Sequence, residues 1–193
     1  MSTNEDIALL NEVRNGNTDA FTVIVERYRQ QVARTVIGML GNTSEADDVG
    51  QEVFIRLYKS IDKFRGESAL STYLTRIAIN LSLNALKKIK RQRLYSSFTS
   101  NNDDDKRDQL QNIANYDDEH EANDTQELVQ MALQKLDPKF RSVIILRMLE
   151  GFSTKETAET LNLPLGTVLS RLTRAQDKLR IEIKKLGYET AQI

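Results

Sequence analysis

Cysteine and tryptophan are absent from the 193 residues, proline occurs twice and histidine once. Without cysteine there are no disulfides, thiolate zinc sites or cysteine nucleophiles, so the fold must rest on packing. The lone histidine, His120, sits in the polar run "YDDEHEAND", a poor setting for general-base or metal chemistry. No G-x-S-x-G elbow, Walker loop or strand-linked G-x-G-x-x-G is present. The expectation is a protein that is not an enzyme and has no cofactor or metal site. Long apolar runs are missing too: "VIIL" at Val143 to Leu146 is far too short to cross a bilayer. The start "MSTNEDIALL" lacks the basic patch and apolar block of a secretion signal. A soluble, cytoplasmic chain with no membrane insertion of its own is expected.

One absence is local. The 27 lysines and arginines nearly balance 28 aspartates and glutamates, yet no acidic residue occurs from Ser68 to Asn102. A run kept for bases alone favours a polyanionic partner, because a carboxylate facing phosphate weakens the electrostatic gain.

What is present reads as helix. Phe21, Ile24, Val25, Tyr28, Val32 and Val36 recur at helical spacing and stop at Gly41. A second helix is predicted from Ser44, capped by its own hydroxyl and burying Val49, Val53, Leu57 and Ile61. A short helix around Ile7 to Val13 precedes both. A third long one buries Leu70, Leu74, Ile77, Ala78, Leu81, Ala85 and Ile89 and runs to about Arg93. From Tyr95 to Glu127 the stripe collapses into a mainly acidic stretch that cannot bury enough apolar surface to offset its ordering entropy. The fold class is therefore all-α: two small helical domains, residues 1–94 and 128–193, joined by a flexible acidic linker, 95–127.

Helical periodicity resumes at Leu128, Met131, Ala132 and Lys135, restarts after Pro138 and ends at Gly151. Ser153 and Glu156 then fit a capping box. Ala158 and Leu161 face inward, "NLPLG" turns the chain, and Val168, Leu172, Ala175 and Leu179 line the buried side of a further helix. Two short helices across a tight turn form a helix-turn-helix. Thr167, Ser170, Arg171 and Arg174 lie off its buried stripe, where a major-groove helix meets base edges and phosphates. The alternative is a helical hairpin with a solvated basic face.

The carboxylate-free run has its own exposed stripe. Tyr73, Arg76, Asn80, Asn84, Lys87 and Arg91 recur three or four residues apart. Aromatic, amide and cation in sequence suit unstacked bases on a single strand. Phe64 and Tyr73 also fit plain packing roles. Asp47, Asp48, Gln51 and Glu52 fall opposite the buried stripe of the second helix, an acidic face that DNA would repel and another protein could use.

The stretches "EADDVGQEVFIRLYKSIDKFRGESALSTYLTRIAINL" and "LDPKFRSVIILRMLEGFSTKETAETLNLPLGTVLSRLTRAQDKLR" resemble regions 2 and 4 of the extracytoplasmic-function class of bacterial sigma factors, the promoter-recognition subunits of RNA polymerase. The resemblance implies that Asp47, Asp48, Gln51, Glu52, Phe54 and Arg56 dock on the clamp helices of the largest polymerase subunit, with region 4 near the flap. It implies a loop of Phe64, Arg65, Gly66, Glu67 and Ser68 which, with Asn80, captures an unstacked non-template base of the −10 element. Tyr73, Arg76 and Lys87 would lie alongside the strand. It implies that Thr167, Leu169, Ser170, Arg171, Thr173, Arg174 and Lys178 meet the −35 element, that the linker threads toward the active-site and RNA-exit channels, and that an anti-sigma factor is a partner. Gly50 stands where the family often has an apolar residue, Tyr73 where tryptophan is common, and Leu169 and Thr173 where arginine and an aromatic are common. The −35 code therefore does not come with the resemblance. The competing reading is a helix-turn-helix repressor with an N-terminal sensing domain, which would bind an operator by itself.

Overall fold

The computed structural model describes residues 4–99 and 121–186. Among them the chain forms eight α-helices: α1 (Asn4–Arg14), α2 (Thr18–Leu40), α3 (Ser44–Ser60), α4 (Leu70–Thr99), α5 (Glu121–Lys135), α6 (Pro138–Ile144), α7 (Thr154–Leu161) and α8 (Leu165–Lys185). A 3-10 turn, Ile61–Lys63, leaves α3, and a π turn, Ile145–Leu149, follows α6.

The first bundle packs α2, α3 and α4 around Ile24, Val32, Val36, Val53, Leu57, Leu70, Leu74 and Ala78. Its long apolar stripes bury as their spacing requires. Asn17 caps α2 by accepting from the Asp19 and Ala20 amides. The cap of α3 is Thr43, not Ser44: Thr43 has the extended backbone of a cap and accepts from Ala46 N at 3.3 Å, whereas Ser44 is already helical. Helix α1 is held by Asp6, which is 2% exposed and accepts from Arg27 Nη1 at 2.9 Å and Tyr28 Oη at 2.8 Å. Burial, and then the bond to Asp6, push the Tyr28 phenol above its usual range.

Helix α4 continues past Arg93 to Thr99, and α5 begins at Glu121. Both ends of the segment read as linker are thus helical; residues 100–120, with His120, lie outside the described residues.

In the second bundle Leu133, Leu136, Phe140, Ile144 and Ala175 form one core cluster, and Val143, Ala158 and Val168 another. Pro138 occupies the first turn of α6, where a missing N–H costs nothing. The capping box of α7 forms: Ser153 N donates to Glu156 Oε2 at 2.8 Å and Glu156 N to Ser153 Oγ at 3.1 Å. Asn162, at φ 52°, ends α7 in the left-handed conformation that tightens the turn into α8.

The two bundles pack on each other. Met39 and Ile79 of the first are buried with Ile145, Leu146 and Phe152 of the second. A Cβ at Gly38 would lie 3.0 Å from Ile145 Cδ1, so the glycine permits this approach. The last carbonyls of α2, orphaned by helix geometry, find donors in the second bundle. Gln130 donates to Ile37 O, Gln134 Nε2 to Gly38 O at 3.0 Å, and Arg141 to Met39 O. Arg141 also donates to the Gln134 and Leu136 carbonyls at 2.6 and 2.9 Å. Burial pulls its pKa down to about 10, with Asp137 opposing, so it stays cationic at neutral pH. At the far edge Glu150, whose side chain is 2% exposed, accepts from Gln31 Nε2 and Thr35 Oγ1 at 3.1 Å and from Arg34 Nε at 3.4 Å.

Glu150→Ala removes the acceptor that Gln31, Arg34 and Thr35 share across the bundles and touches neither bundle's own core. The loss is about 1–3 kcal/mol in all, because Gln31 and Thr35 keep Thr75 Oγ1 and Gln31 O as acceptors and Arg34 is exposed. Labels at Lys59→Cys and Asp177→Cys, in a chain without native cysteine, report the distance between bundles. In Glu150→Ala that distance is expected to lengthen at lower urea than in the parent, while helical ellipticity is lost at nearly the same urea. Coincident distance curves for the two proteins refute the role given to Glu150.

Ser153→Ala is expected to destabilise the second bundle by about 1 kcal/mol in chemical denaturation. Hydrogen bonds from Ser153, side chain first and backbone N–H second, hold Glu156 below the ordinary carboxylate range. A depressed folded pKa contributes stability above the unfolded value, about 4.3, and loses it as pH falls through the folded one. The stability gap between the parent and Glu156→Gln should therefore shrink as pH drops below about 4.3; a constant gap counts against the cap.

Candidate nucleic-acid interface

Three surfaces carry the residues singled out by sequence. On α3, Asp47, Asp48, Gln51 and Arg56 are exposed, and Glu52 pairs with Arg56 Nε at 3.0 Å. Phe54 is half-buried against the first core rather than displayed. Two residues that sequence reading passed over, Ile55 and Tyr58, are 44% and 50% exposed on the same face as Asp48 and Gln51. Apolar side chains set off the buried stripe were the signal for them. A Cβ at Gly50 would meet nothing within 4 Å, so glycine there costs the helix about 1 kcal/mol relative to alanine and relieves no crowding.

The second surface is the loop before α4 and the face of α4. Phe64 does not present a free ring. It is 7% exposed and packs on Tyr73, with ring centroids 5.0 Å apart. An aromatic flanked by Ile61 and Leu70 gains more from joining that core than from standing in water. Tyr73 is half-buried, its hydroxyl 3.0 Å from Ser60 Oγ. What the loop does present is Arg65, Gly66 at φ +74° and Glu67, with Ser68 half-buried. Arg14 of α1 fixes the loop's entry by donating to Ile61 O at 2.8 Å and Phe64 O at 2.6 Å. Its partner carbonyls are about fifty residues away in sequence, so no local pattern marked it. Asn80, Asn84, Lys87 and Arg91 are all exposed along α4.

Arg76 links this surface to the second bundle. Its Nη2 lies 3.3 Å from Glu159 of α7, while its Nε–H is buried without a partner among the described residues. Lys155, Glu156 and Glu159 face Arg65, Glu67 and Arg76 across an open cleft of ≈ 750 Å³. The Arg76 guanidinium is thus engaged by a carboxylate of the second bundle.

The third surface is α8. Leu169, Ser170, Thr173, Arg174 and Lys178 are exposed, and Thr167 and Arg171 half-buried. Val168 and Ala175 are sealed beneath them. Lys178 Nζ also rests 5.5 Å from the Phe140 ring centroid, a cation–π contact that orients it. The helix carries no acid from Leu165 to Gln176, so this face is cationic and apolar. Among the described residues no group of three His, Asp or Glu side chains could hold a metal ion, and no helix is long and apolar enough to cross a membrane.

Residues 24–92 match the Sigma-70 region 2 family and residues 126–179 the Sigma-70, region 4 family. The ECF RNA polymerase sigma factor SigW of Bacillus subtilis is 34% identical over 180 residues, 92% of this chain and 96% of its own. The ECF RNA polymerase sigma-E factor of Haemophilus influenzae is 33% identical over 183 residues, 94% of this chain and 96% of its own. The sigma factor RpoE of Bartonella quintana, solved in complex with the anti-sigma factor NepR, superimposes with a TM-score of 0.68 at 23% identity, covering 87% of this chain and 98% of that one, a likeness of fold. An acid-free helix, a capped helix-turn-helix and full-length relatives at these identities agree: the chain belongs to the ECF family of RNA polymerase sigma factors.

Proposed function

We propose that the chain joins core RNA polymerase through the α3 face, holds the separated −10 strand along α4, and anchors duplex −35 DNA with α8. The observation that carries this reading is the exposed row Asn80, Asn84, Lys87 and Arg91 on a helix without carboxylates. Amides hydrogen-bond unstacked bases and cations hold the backbone between them. The acidic face of α3, with Ile55 and Tyr58 at its centre, is repelled by DNA and suited to a protein. The polymerase supplies the chemistry; this subunit supplies position and the free energy that keeps the strands apart. Unstacking a base costs a few kcal/mol, which contacts in a fitted site return.

With Phe64 in the core, capture of the base falls to Asn80, Arg65 and the backbone around Gly66. Arg76 must exchange Glu159 for phosphate, so the bundles must have parted at this contact before the promoter strand can enter. We assign region 2 to residues 1–94 and region 4 to residues 128–193, with the helical ends of the joining segment serving as extensions of α4 and α5. An anti-sigma factor, the kind of partner NepR is for the Bartonella protein, would act by holding the bundles together or by covering the α3 face. The repressor reading lacks support: the described face of α3 offers acids rather than a sensing pocket, and the relatives are sigma factors.

Asn80→Ala removes an exposed amide without disturbing a core, so it is expected to reduce −10 melting by holoenzyme about tenfold. Permanganate reactivity on a cognate promoter, beside an unchanged core-polymerase binding curve, checks this; undiminished reactivity removes Asn80 from the strand path. Phe64→Ala is no substitute, since emptying that buried position costs the fold about 3–5 kcal/mol. Arg174→Ala is expected to weaken −35 duplex binding about tenfold at matched salt, read by competition against a scrambled element. Equal affinities would take Arg174 off the DNA.

A further inference from the structure

The first turns of α8 place an apolar row where a groove-reading helix usually has polar groups. Leu165 is 52% exposed and Leu169 54%, and Thr173 is exposed one turn further on. Four-residue spacing puts the three on one face. They are not surplus core, because Val168 and Ala175 fill that side at 0% exposure. The neighbouring hydroxyls turn inward: Ser170 Oγ donates to Thr167 O at 3.1 Å and Thr173 Oγ1 to Leu169 O at 3.3 Å. Their protons are spent on the helix, and Thr173 is left with a methyl group and an accepting oxygen but no donor to offer. This row therefore shows two leucines and a methyl; Arg174 lies further round the exposed side of the helix, and half-buried Arg171, two residues on from Leu169, points away from the row.

In the major groove the base edges present acceptors, amino donors and one apolar group, the C5 methyl of thymine. An exposed apolar row matches that group better than any of the hydrogen-bonding ones. We infer that Leu169, flanked by Leu165 and Thr173, sets this chain's upstream promoter specificity by contacting thymine methyls in the −35 element. The inference rests on the placement of α8 in the −35 groove and adds to it what the helix reads there. Arg174, on the exposed side of the same helix, fixes register on phosphate or guanine; the leucine chooses thymine over cytosine. A protein partner on the same row is the competing occupant, but the absence of acids from Leu165 to Gln176 and the exposed Arg174 on the same stretch of helix favour nucleic acid.

The test uses holoenzyme and the −35 duplex obtained by mapping transcript starts for this sigma factor. Each thymine is replaced in turn by deoxyuridine, which keeps the O4 acceptor and lacks only the methyl. Competition binding at fixed salt is expected to show about fourfold weakening at one or two positions for the parent protein, the worth of one buried methyl. Leu169→Ala should bind the thymine duplex about as weakly as the parent binds the uracil one, and should no longer distinguish them. Leu169→Met, which keeps an apolar end, should still do so. A parent protein that needs the element yet ignores every thymine-to-uracil change overturns the inference and leaves the groove placement standing. One that binds the element no better than a scrambled duplex overturns both. Leu169→Ala that loses affinity for core polymerase, with the thymine preference intact, assigns the row to a protein partner and overturns the inference as well.

Discussion

The free carbonyls at the C-terminus of α2 are the constraint on which the arrangement depends. A helix leaves its last carbonyls without intrahelical donors, and its dipole places partial negative charge there. Helix α2 has no basic residue in its last turn. Gly41 N donates to Ile37 O at 2.8 Å, and the second bundle adds Gln130 on the same carbonyl, Gln134 on Gly38 O and the Arg141 guanidinium on Met39 O. One cation thus caps a helix of region 2 while bracing the α5–α6 turn of its own domain through Gln134 O and Leu136 O. A buried charge is tolerable only when such acceptors surround it.

That cap fixes what else can meet. With α2 seated on α5 and α6, the π turn after α6 carries Glu150 onto Gln31, Arg34 and Thr35, and α7 comes to rest over the loop before α4. Glu159 reaches Arg76 as a consequence. Two carboxylates of region 4 therefore engage cations of region 2, Arg34 and Arg76, and Arg76 lies on the proposed strand path. Carboxylate and phosphate compete for guanidinium by the same charge-assisted geometry. DNA and the closed arrangement are alternatives at Arg76.

The helical stripes, the capping box, the tight turn into α8 and the two-region organisation were legible in the sequence, because each is a local pattern with a fixed period or offset. The burial of Phe64 was not settled there, since an aromatic at a loop edge fits packing and stacking equally until the positions of Leu70 and Tyr73 are known. The pairing of the bundles left weaker traces. Ile79, Leu83 and Leu86 form a second apolar stripe on α4, beyond what one core requires, and Arg141 stands between Phe140 and the apolar run Val143, Ile144 in α6. Neither trace names its partner, because capping of α2 by Arg141 spans a hundred residues and obeys no periodicity.

The same contacts bear on how the closed form yields. Met39, Ile79, Ile145, Leu146 and Phe152 are almost fully withdrawn from water between the bundles, and full burial of such side chains contributes about 1.5–3 kcal/mol each. Electrostatic competition at Arg76 alone returns far less, since a half-exposed ion pair contributes about 1 kcal/mol or below. Separation therefore requires a surface that takes over the apolar side chains, and a single DNA strand, with charge on its outside, is a poor one. A large protein that receives each bundle on its own site is a good one. On this argument core polymerase opens the chain and promoter DNA then occupies what has been uncovered, which orders the two binding events.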